Sequence, residues 1–356
     1  QSIGCCVTTQ HMNLTQALAD LAPTGTAHDW LRTLTKAGCD VLPRPGQGNT
    51  LARWQAFSQI AQHDLSLAKL FEGHTDALAI LVELDELDQA ADTPRTSGAG
   101  IAATWGVWAA ESPNGRVRIE RREGNDVTLH GTKFWCSGAG HVQRGLLTAW
   151  FADSQRPQLV QVDMAQPGIG ISHGAWRAVG MQGSASLDVT FDATPASLVG
   201  SDGDYLSRPG FWQGGAGIAA CWYGGALALA ATLRRAVEQS PASARVGFRF
   251  AALGKVDLAL HSTAAVLRHA AQWIDEHPRD DASQIALYAR LAAEDCARRV
   301  LDETGRALGA TAFCRDAHFA RAAADLPVFV RQSHGERDFA ALGEKALCEP
   351  VLPWTL

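Results

Sequence analysis

Gly131-Thr-Lys-Phe-Trp-Cys-Ser-Gly-Ala-Gly140 is followed, some forty residues on, by Gly180-Met-Gln-Gly-Ser-Ala-Ser-Leu-Asp-Val-Thr-Phe-Asp192. In a β-strand, side chains alternate between faces, so Trp135 and Ser137 share one face and Cys136 takes the other. An indole on such a face can stack on a flat ring while the hydroxyl two residues later bonds to the ring's edge. Read alone, the first segment also fits an ordinary half-buried strand ending in a glycine turn. The second segment, and a pattern near the C-terminus described below, favour the ring-binding reading.

The chain on either side changes period twice. Leu14 to about residue 90 has helical spacing, with Trp54, Phe57, Ile60, Ala61 and Leu65 three or four apart. Pro43, Pro45, Gly46 and Gly48 mark a loop within this region. From about residue 98 the spacing becomes two. Val117 and Ile119 alternate with Arg116, Arg118 and Glu120, and Val127 and Leu129 with Asp126, Thr128 and His130. Gly124-Asn125 between them predicts a hairpin. Strands are also predicted at 146–150, 159–162 and 187–191. Beyond about residue 212 the spacing is helical again, with long helices predicted over 250–274 and 283–307 and a turn at Pro278. The small residues from Gly214 to Ala231 allow close helix approach. The fold class expected is α+β: helices over 1–97, a β-barrel domain over 98–205 and a helical bundle over 206–356. The junction of unlike domains is a favoured ligand crevice.

The 356 residues are 46% hydrophobic and 19% charged, which predicts a globular core. A formal net charge of -6 with no Lys/Arg run excludes a general nucleic-acid binder. No apolar run is expected to span a membrane. The start, Gln1-Ser-Ile-Gly, lacks a basic region followed by an apolar core, so no signal peptide is expected. Eight cysteines (5, 6, 39, 136, 221, 296, 314 and 348) form no CxxC pair and are expected as reduced thiols of a cytoplasmic protein. His63, His74 and His141 lack metal-ligand spacing, so no metal is expected. There is no dinucleotide fingerprint, nucleophile elbow or Walker loop.

The order of domains and four motifs resemble the acyl-CoA dehydrogenase superfamily over residues 50 to 345. Ala61-Gln-His-Asp-Leu-Ser-Leu-Ala68 resembles its (R/H)-D-x-S-x-A helix, and Leu129 to Ala139 its L-x-G-x-K-x-W-I-T-x-A strand. Ala178 to Ala185 resembles the segment that closes the flavin and acyl pocket. Arg306-Ala-Leu-Gly-Ala-Thr-Ala-Phe313 resembles Q-x-L-G-G-x-G-(F/Y), which in the family meets the FAD of a neighbouring subunit. The resemblance implies a FAD-dependent oxidoreductase that forms a homodimer or homotetramer. It implies that Trp135 stacks on the flavin, that Ser137 bonds near its pyrimidine edge, that Gly309 lies near the FAD, and that Ser184 lines the substrate pocket.

Three departures bear on activity. The family's catalytic Glu, in Y-E-G-T, is absent. Ungapped counting from Phe313 puts Ser333 there, a one-residue slip puts His334 there, and Glu336 could reach with another register. The alternative base position, in the first helix after the β domain, falls near Gly215, with no carboxylate expected nearby. His334 suits proton transfer near neutral pH, or it is a helix-cap or surface histidine. Second, the diphosphate-binding Arg motif is shortened, so Arg245 or Arg249 could substitute, with Arg306 standing where the family has Gln. FMN or free reduced flavin then joins FAD as a possible cofactor. Third, the Gly-Ser-Asp near flavin and acyl chain is absent, and Trp105 and Trp108 would narrow the channel toward a compact or ring-shaped substrate. The resulting readings are, in order, α,β-dehydrogenation of an acyl thioester on coenzyme A or a carrier protein, passing electrons to a transfer partner; a flavin monooxygenase of the same fold, using O2 on a small aromatic substrate; and a non-catalytic flavin- or acyl-binding relative.

Overall fold

The computed structural model describes residues 13–90, 103–174, 176–240 and 244–348, with the side chains at 86–90, 121–123 and 244–246 left out. Four helices come first: α1 (Leu14–Ala19), α2 (Ala27–Lys36), α3 (Thr50–His63) and α4 (Leu65–Ala90). Thr26 starts α2 with a capping box, its side chain accepting from the Asp29 N–H while the Asp29 carboxylate accepts from the Thr26 N–H. Asp64 separates α3 from α4, and its carboxylate accepts from the Leu67 N–H.

Seven strands follow: β1 (Trp105–Trp108), β2 (Arg118–Glu123), β3 (Asp126–Cys136), β4 (Arg144–Ala149), β5 (Gln158–Asp163), β6 (Ile169–Ser172) and β7 (Leu187–Val199). The expected β2–β3 hairpin turns at Gly124-Asn125, with Glu123 opposite Asp126. The sheet order is β1-β4-β5-β7-β3-β2, with β6 added beside β7. The sheet curls until β2 meets Trp150, just beyond β4. The Ile119 N–H donates to the Trp150 carbonyl and the Trp150 N–H to the Val117 carbonyl, each at 2.9 Å. The short strand β1 lacks a readable alternation in the sequence, and β6, Ile169–Ser172, is only four residues long. β1 pairs in parallel with β4 and is buried almost throughout, so it has no polar face to mark its period.

Eight helices complete the fold: α5 (Asp204–Ser207), α6 (Gly210–Gly215), α7 (Ile218–Glu238), α8 (Ala244–Glu276), α9 (Ser283–Leu308), α10 (Ala310–Arg315), α11 (Ala317–Phe329) and α12 (Glu336–Cys348). The glycines of α7 do what their size allows. A side chain at Gly224 would strike the Ser58 carbonyl of α3, so this crossing requires glycine. Helix α7 is the core of the bundle, with Trp222, Cys221 and Leu229 fully buried.

The expectation about membrane length needs correcting. Gly210–Glu238 and Gly247–Glu276 are long and apolar enough to cross a membrane. The first is 83% buried within the protein, as a core helix is; the second is 28% buried. Cys39, Cys136, Cys221 and Cys296 are buried free thiols, while Cys314 and Cys348 are exposed; Cys5 and Cys6 lie outside the described residues. Among the described residues no group of three or more His, Cys, Asp or Glu could hold a metal.

Candidate active site

The two opening segments meet. The Ser137 hydroxyl lies 2.8 Å from that of Ser186, which lies 3.0 Å from that of Ser184. Ser184 in turn donates to the Met181 carbonyl at 2.7 Å, and the Gly138 N–H donates to the Ser184 carbonyl at 2.8 Å. A row of three hydroxyls thus joins the end of β3 to the turn before β7.

The simple alternation expected at Trp135 fails. Its φ is 56°, and β3–β7 pairing shifts between Lys133 and Cys136. The left-handed residue turns the indole outward, half exposed at 52%, while Cys136 is fully buried. Met181 (φ 58°) and Ala185 (φ 42°) are also left-handed, so three of the four non-glycine residues with positive φ among the described residues flank this one place. Such strain costs about 1–3 kcal/mol per residue and persists where surrounding structure imposes it. Lys133, from the same motif, points into the barrel. Its ammonium bonds Glu111 at 2.9 Å and the Thr148 hydroxyl at 2.7 Å, and burial lowers its pKa.

The segment 180–186 is pinned from the helical side. A side chain at Gly180 would strike the Ala324 carbonyl of α11, and Asp325 accepts from the Met181 N–H at 2.5 Å. Burial raises the Asp325 pKa, and the Met181 N–H counters it. Gly183 sits against Ser66 of α4, and Gly138 against Leu70. The motif-bearing helix α4 therefore backs both loops.

Further along α4 lies a charged wall. The Lys69 ammonium meets the Glu72 carboxylate at 2.8 Å, and Arg53 of α3 lies 3.8 Å from Asp76. Burial first and the neighbouring Glu72 second raise the Asp76 pKa. Asp76 corrects one expectation: its carboxylate oxygen is 2.9 Å from where a Cβ on Gly214 would stand, so a carboxylate does reach the alternative base position, from another helix. A Cβ on Gly215 would meet nothing within 4 Å.

The loop expected to hold the base faces the same place. Arg290 of α9 donates to the Gly215 carbonyl at 3.0 Å and to the Gln332 carbonyl at 2.9 Å. It ties α6 to the short 3-10 turn Val330–Gln332 that precedes Ser333 and His334. The His334 ring lies 3.3 Å from Asp338 and is 56% exposed. The Ser333 hydroxyl accepts from the Gly335 N–H at 3.2 Å, and Glu336 opens α12. Arg290 thus ties the residue before Ser333 and His334 to Gly215. Arg290 and Asp76 carried no signal in sequence because their partners lie on distant helices.

The remaining candidates lie elsewhere. Trp105 is buried between α4 and the sheet, against Ala77, Ile80, Leu146 and Tyr205. Trp108 is buried in the barrel core, its indole donating to the Ser137 carbonyl at 3.0 Å. Neither ring lines an open channel, contrary to expectation, because β1 is covered on both faces; Trp108 instead supports Ser137 from behind. Arg249 donates to Ser240 at 2.6 Å, and exposed Arg306 pairs with Asp302 at 2.9 Å. Gly309 joins α9 to α10 with φ 66°. The Arg245 side chain lies outside the described residues. None of these groups bonds the serine row among the described residues.

No family model matches the sequence, and no curated protein sequence matches it. Solved structures do. A KijD3 in complex with FMN and a dTDP-linked amino keto sugar superposes with a TM-score of 0.78 at 17% identity, over 96% of this chain and 92% of that one. The chain has the acyl-CoA dehydrogenase fold. Butyryl-CoA dehydrogenase from Megasphaera elsdenii superposes over 98% of this chain and all of its own (TM-score 0.77, 16% identity). Dibenzothiophene monooxygenase TdsC from Paenibacillus sp. A11-2 does so over 96% of each chain (0.77, 17% identity).

Proposed function

We propose that this chain is a flavin-dependent oxidoreductase that uses reduced flavin and O2 to oxygenate a compact polar substrate. The observation that carries the flavin is the outward-turned, left-handed Trp135 beside the hydroxyl row Ser137–Ser186–Ser184. An exposed indole offers a stacking face, and the hydroxyls can donate to or accept from a ring edge. Bound flavin would supply the electron-carrying, oxygen-activating ring. The chain's residues stack on that ring, fix its edge and close the loops around it. His334, oriented by Asp338, takes or gives the substrate proton.

Two features support oxygenation over dehydrogenation. Ser333 and His334 occupy the loop where the family carries its Glu. The α4 wall is charged at Lys69, Glu72 and Asp76, which suits a fatty acyl chain poorly. Solved relatives of this fold include a KijD3 with FMN and the monooxygenase TdsC. FMN is the form we favour over FAD, since Arg249 and Arg306 are already paired within the chain.

The second reading, α,β-dehydrogenation of an acyl thioester, is favoured by Asp76, whose carboxylate beside Gly214 could take an α proton. We also propose a homodimer or homotetramer, with Phe248, Leu258, Phe313 and Phe339, all exposed, as covered surface, and a cytoplasmic setting.

The test is the visible spectrum of the protein reconstituted with flavin, followed anaerobically. A flavin band bleached by dithionite but not by acyl thioesters, with substrate-dependent oxygen uptake when a flavin reductase is added, supports the proposal. Bleaching by an acyl thioester alone moves dehydrogenation ahead. No flavin uptake removes both.

A further inference from the structure

Arg290 is a cation with no directly paired anion among the described residues. It is partly buried, and burial lowers its pKa. Three carboxylates face it from the surrounding elements, Asp338 of α12, Glu72 of α4 and Glu294 of its own helix. Each bonds another group, although the second oxygen of Glu294 is buried without a partner. Asp338 holds the His334 ring at 3.3 Å and accepts from its N–H at 3.1 Å. Glu72 holds Lys69. Glu294 bonds Arg298 and lies 3.9 Å from Arg331. Among the described residues Arg290 makes no ion pair.

The arrangement is specific. Glu294 is four residues on along α9, the spacing at which a helical ion pair forms readily. Arg290 turns away from it and spends two N–H groups on the carbonyls of Gly215 and Gln332. The guanidinium lies over the Trp222 ring at 5.3 Å, a flat support that fixes its plane. Two carbonyls and a ring hold it beside the open space in front of Gly215, next to Ser333 and His334. A guanidinium has five N–H donors, so donors remain. Partly burying a cation that no carboxylate contacts directly is unfavourable, and a ligand anion in contact with it would relieve that.

We propose that Arg290 is the oxyanion-recognition residue of the crevice, and that the substrate carries a carboxylate or sulfinate group bound by its guanidinium. This rests on the oxidoreductase reading above and names its substrate class. A planar fork matches two oxygens of either anion, and a neutral molecule of the same shape lacks that match.

The test uses three probes of one shape: benzoate, benzenesulfinate and neutral benzamide. Binding to the flavin-reconstituted protein is followed by calorimetry and by the shift of the flavin band. At least one anion should bind, benzamide should not, and sodium chloride should weaken the anion. Arg290→Gln should weaken anion binding about 10- to 100-fold, the scale of a charge-assisted hydrogen bond. Arg290→Lys should fall between, keeping the charge and losing the fork, and it serves if the Gln variant does not fold. Comparison of the two anions identifies which oxyanion fits. Equal binding of benzamide, chloride-insensitive binding, or full anion binding by both folded variants overturns the proposal while leaving flavin oxidation standing. Failure to take up flavin removes the reading on which the proposal rests; calorimetry without flavin then reports Arg290 separately.

Discussion

The Ser137 hydroxyl lies 2.8 Å from the Ser186 hydroxyl, although the two residues are 49 positions apart. Neither partner suffices alone. β3 ends at Cys136, and β7 begins at Leu187, so each serine lies just outside a strand, where the backbone can turn its hydroxyl toward the other. Ser137→Ala should leave stability within about 1 kcal/mol and weaken flavin binding by about 1 kcal/mol, roughly fivefold, one net hydrogen bond. Fluorescence titration of apoprotein with FMN measures it. Unchanged affinity would remove Ser137 from the flavin edge.

Trp135 separates strain from binding. At φ 56° a glycine is at ease and an alanine is not. Trp135→Gly should therefore be about 1 kcal/mol more stable to urea than Trp135→Ala. Both should bind flavin at least tenfold more weakly than the parent. Equal stability of the two variants would refute the strain argument; undiminished binding would refute the stacking one.

Gly180 is the contact between the serine-bearing turn and α11. Gly180→Ala drives a methyl into the Ala324 carbonyl, a backbone atom that cannot rotate away. We expect a loss of about 2–4 kcal/mol in urea unfolding, together with lost flavin uptake. A variant as stable as the parent would mean that the turn is not locked to the bundle.

His28 of α2 stacks on His141, ring centroids 3.7 Å apart, joining the helical and β parts. Burial, then the His141 charge, lower the His28 pKa to about 4, with Asp29 raising it and Arg32 lowering it further. Burial also lowers the His141 pKa, with Asp29 opposing and Arg32 and His173 adding to it. The unfolded chain, with His near 6.5, binds these protons before the folded chain does. Their contribution is therefore fully present above about pH 6.5 and lost as pH falls toward 4. Denaturation midpoints measured from pH 7 to 4 should drop, and His28→Gln should flatten that drop. An unchanged slope would locate the acid sensitivity elsewhere.

His334→Ala should lower turnover by about 10²–10⁴-fold, the scale of general acid–base catalysis, with flavin content unchanged. Asp338→Asn, which leaves the ring but loosens its orientation, should lower it less and shift the pH profile. Turnover and pH profile measured on both variants decide this. A His334→Ala enzyme with parental turnover would transfer the proton role to Asp76.

Much of the fold was legible in sequence, for physical reasons visible in single elements. The helices α3, α4, α8 and α9 and the β2–β3 hairpin follow from apolar periods and a Gly-Asn turn. β1 was not legible, because a strand buried on both faces has no alternation to read. The glycines of α7 were legible as small residues, but not that Gly224 in particular meets Ser58.

The sequence by itself determined the domain order, the presence of Trp135 and Ser137 in one segment and of Ser184 and Ser186 in another, and the absence of a carboxylate from the 330–335 loop. Those properties are local: they depend on residue identity and spacing along a few turns of chain. Only the tertiary structure decided that Trp135 is turned outward by a left-handed residue and not by strand alternation, that Trp105 and Trp108 are core and not channel, and that Asp76 and Arg290 converge on Gly214 and Gly215. Such convergence depends on how α4, α6 and α9 pack. Helix packing sums many weak contacts across the whole core, and no single stretch of sequence carries that sum.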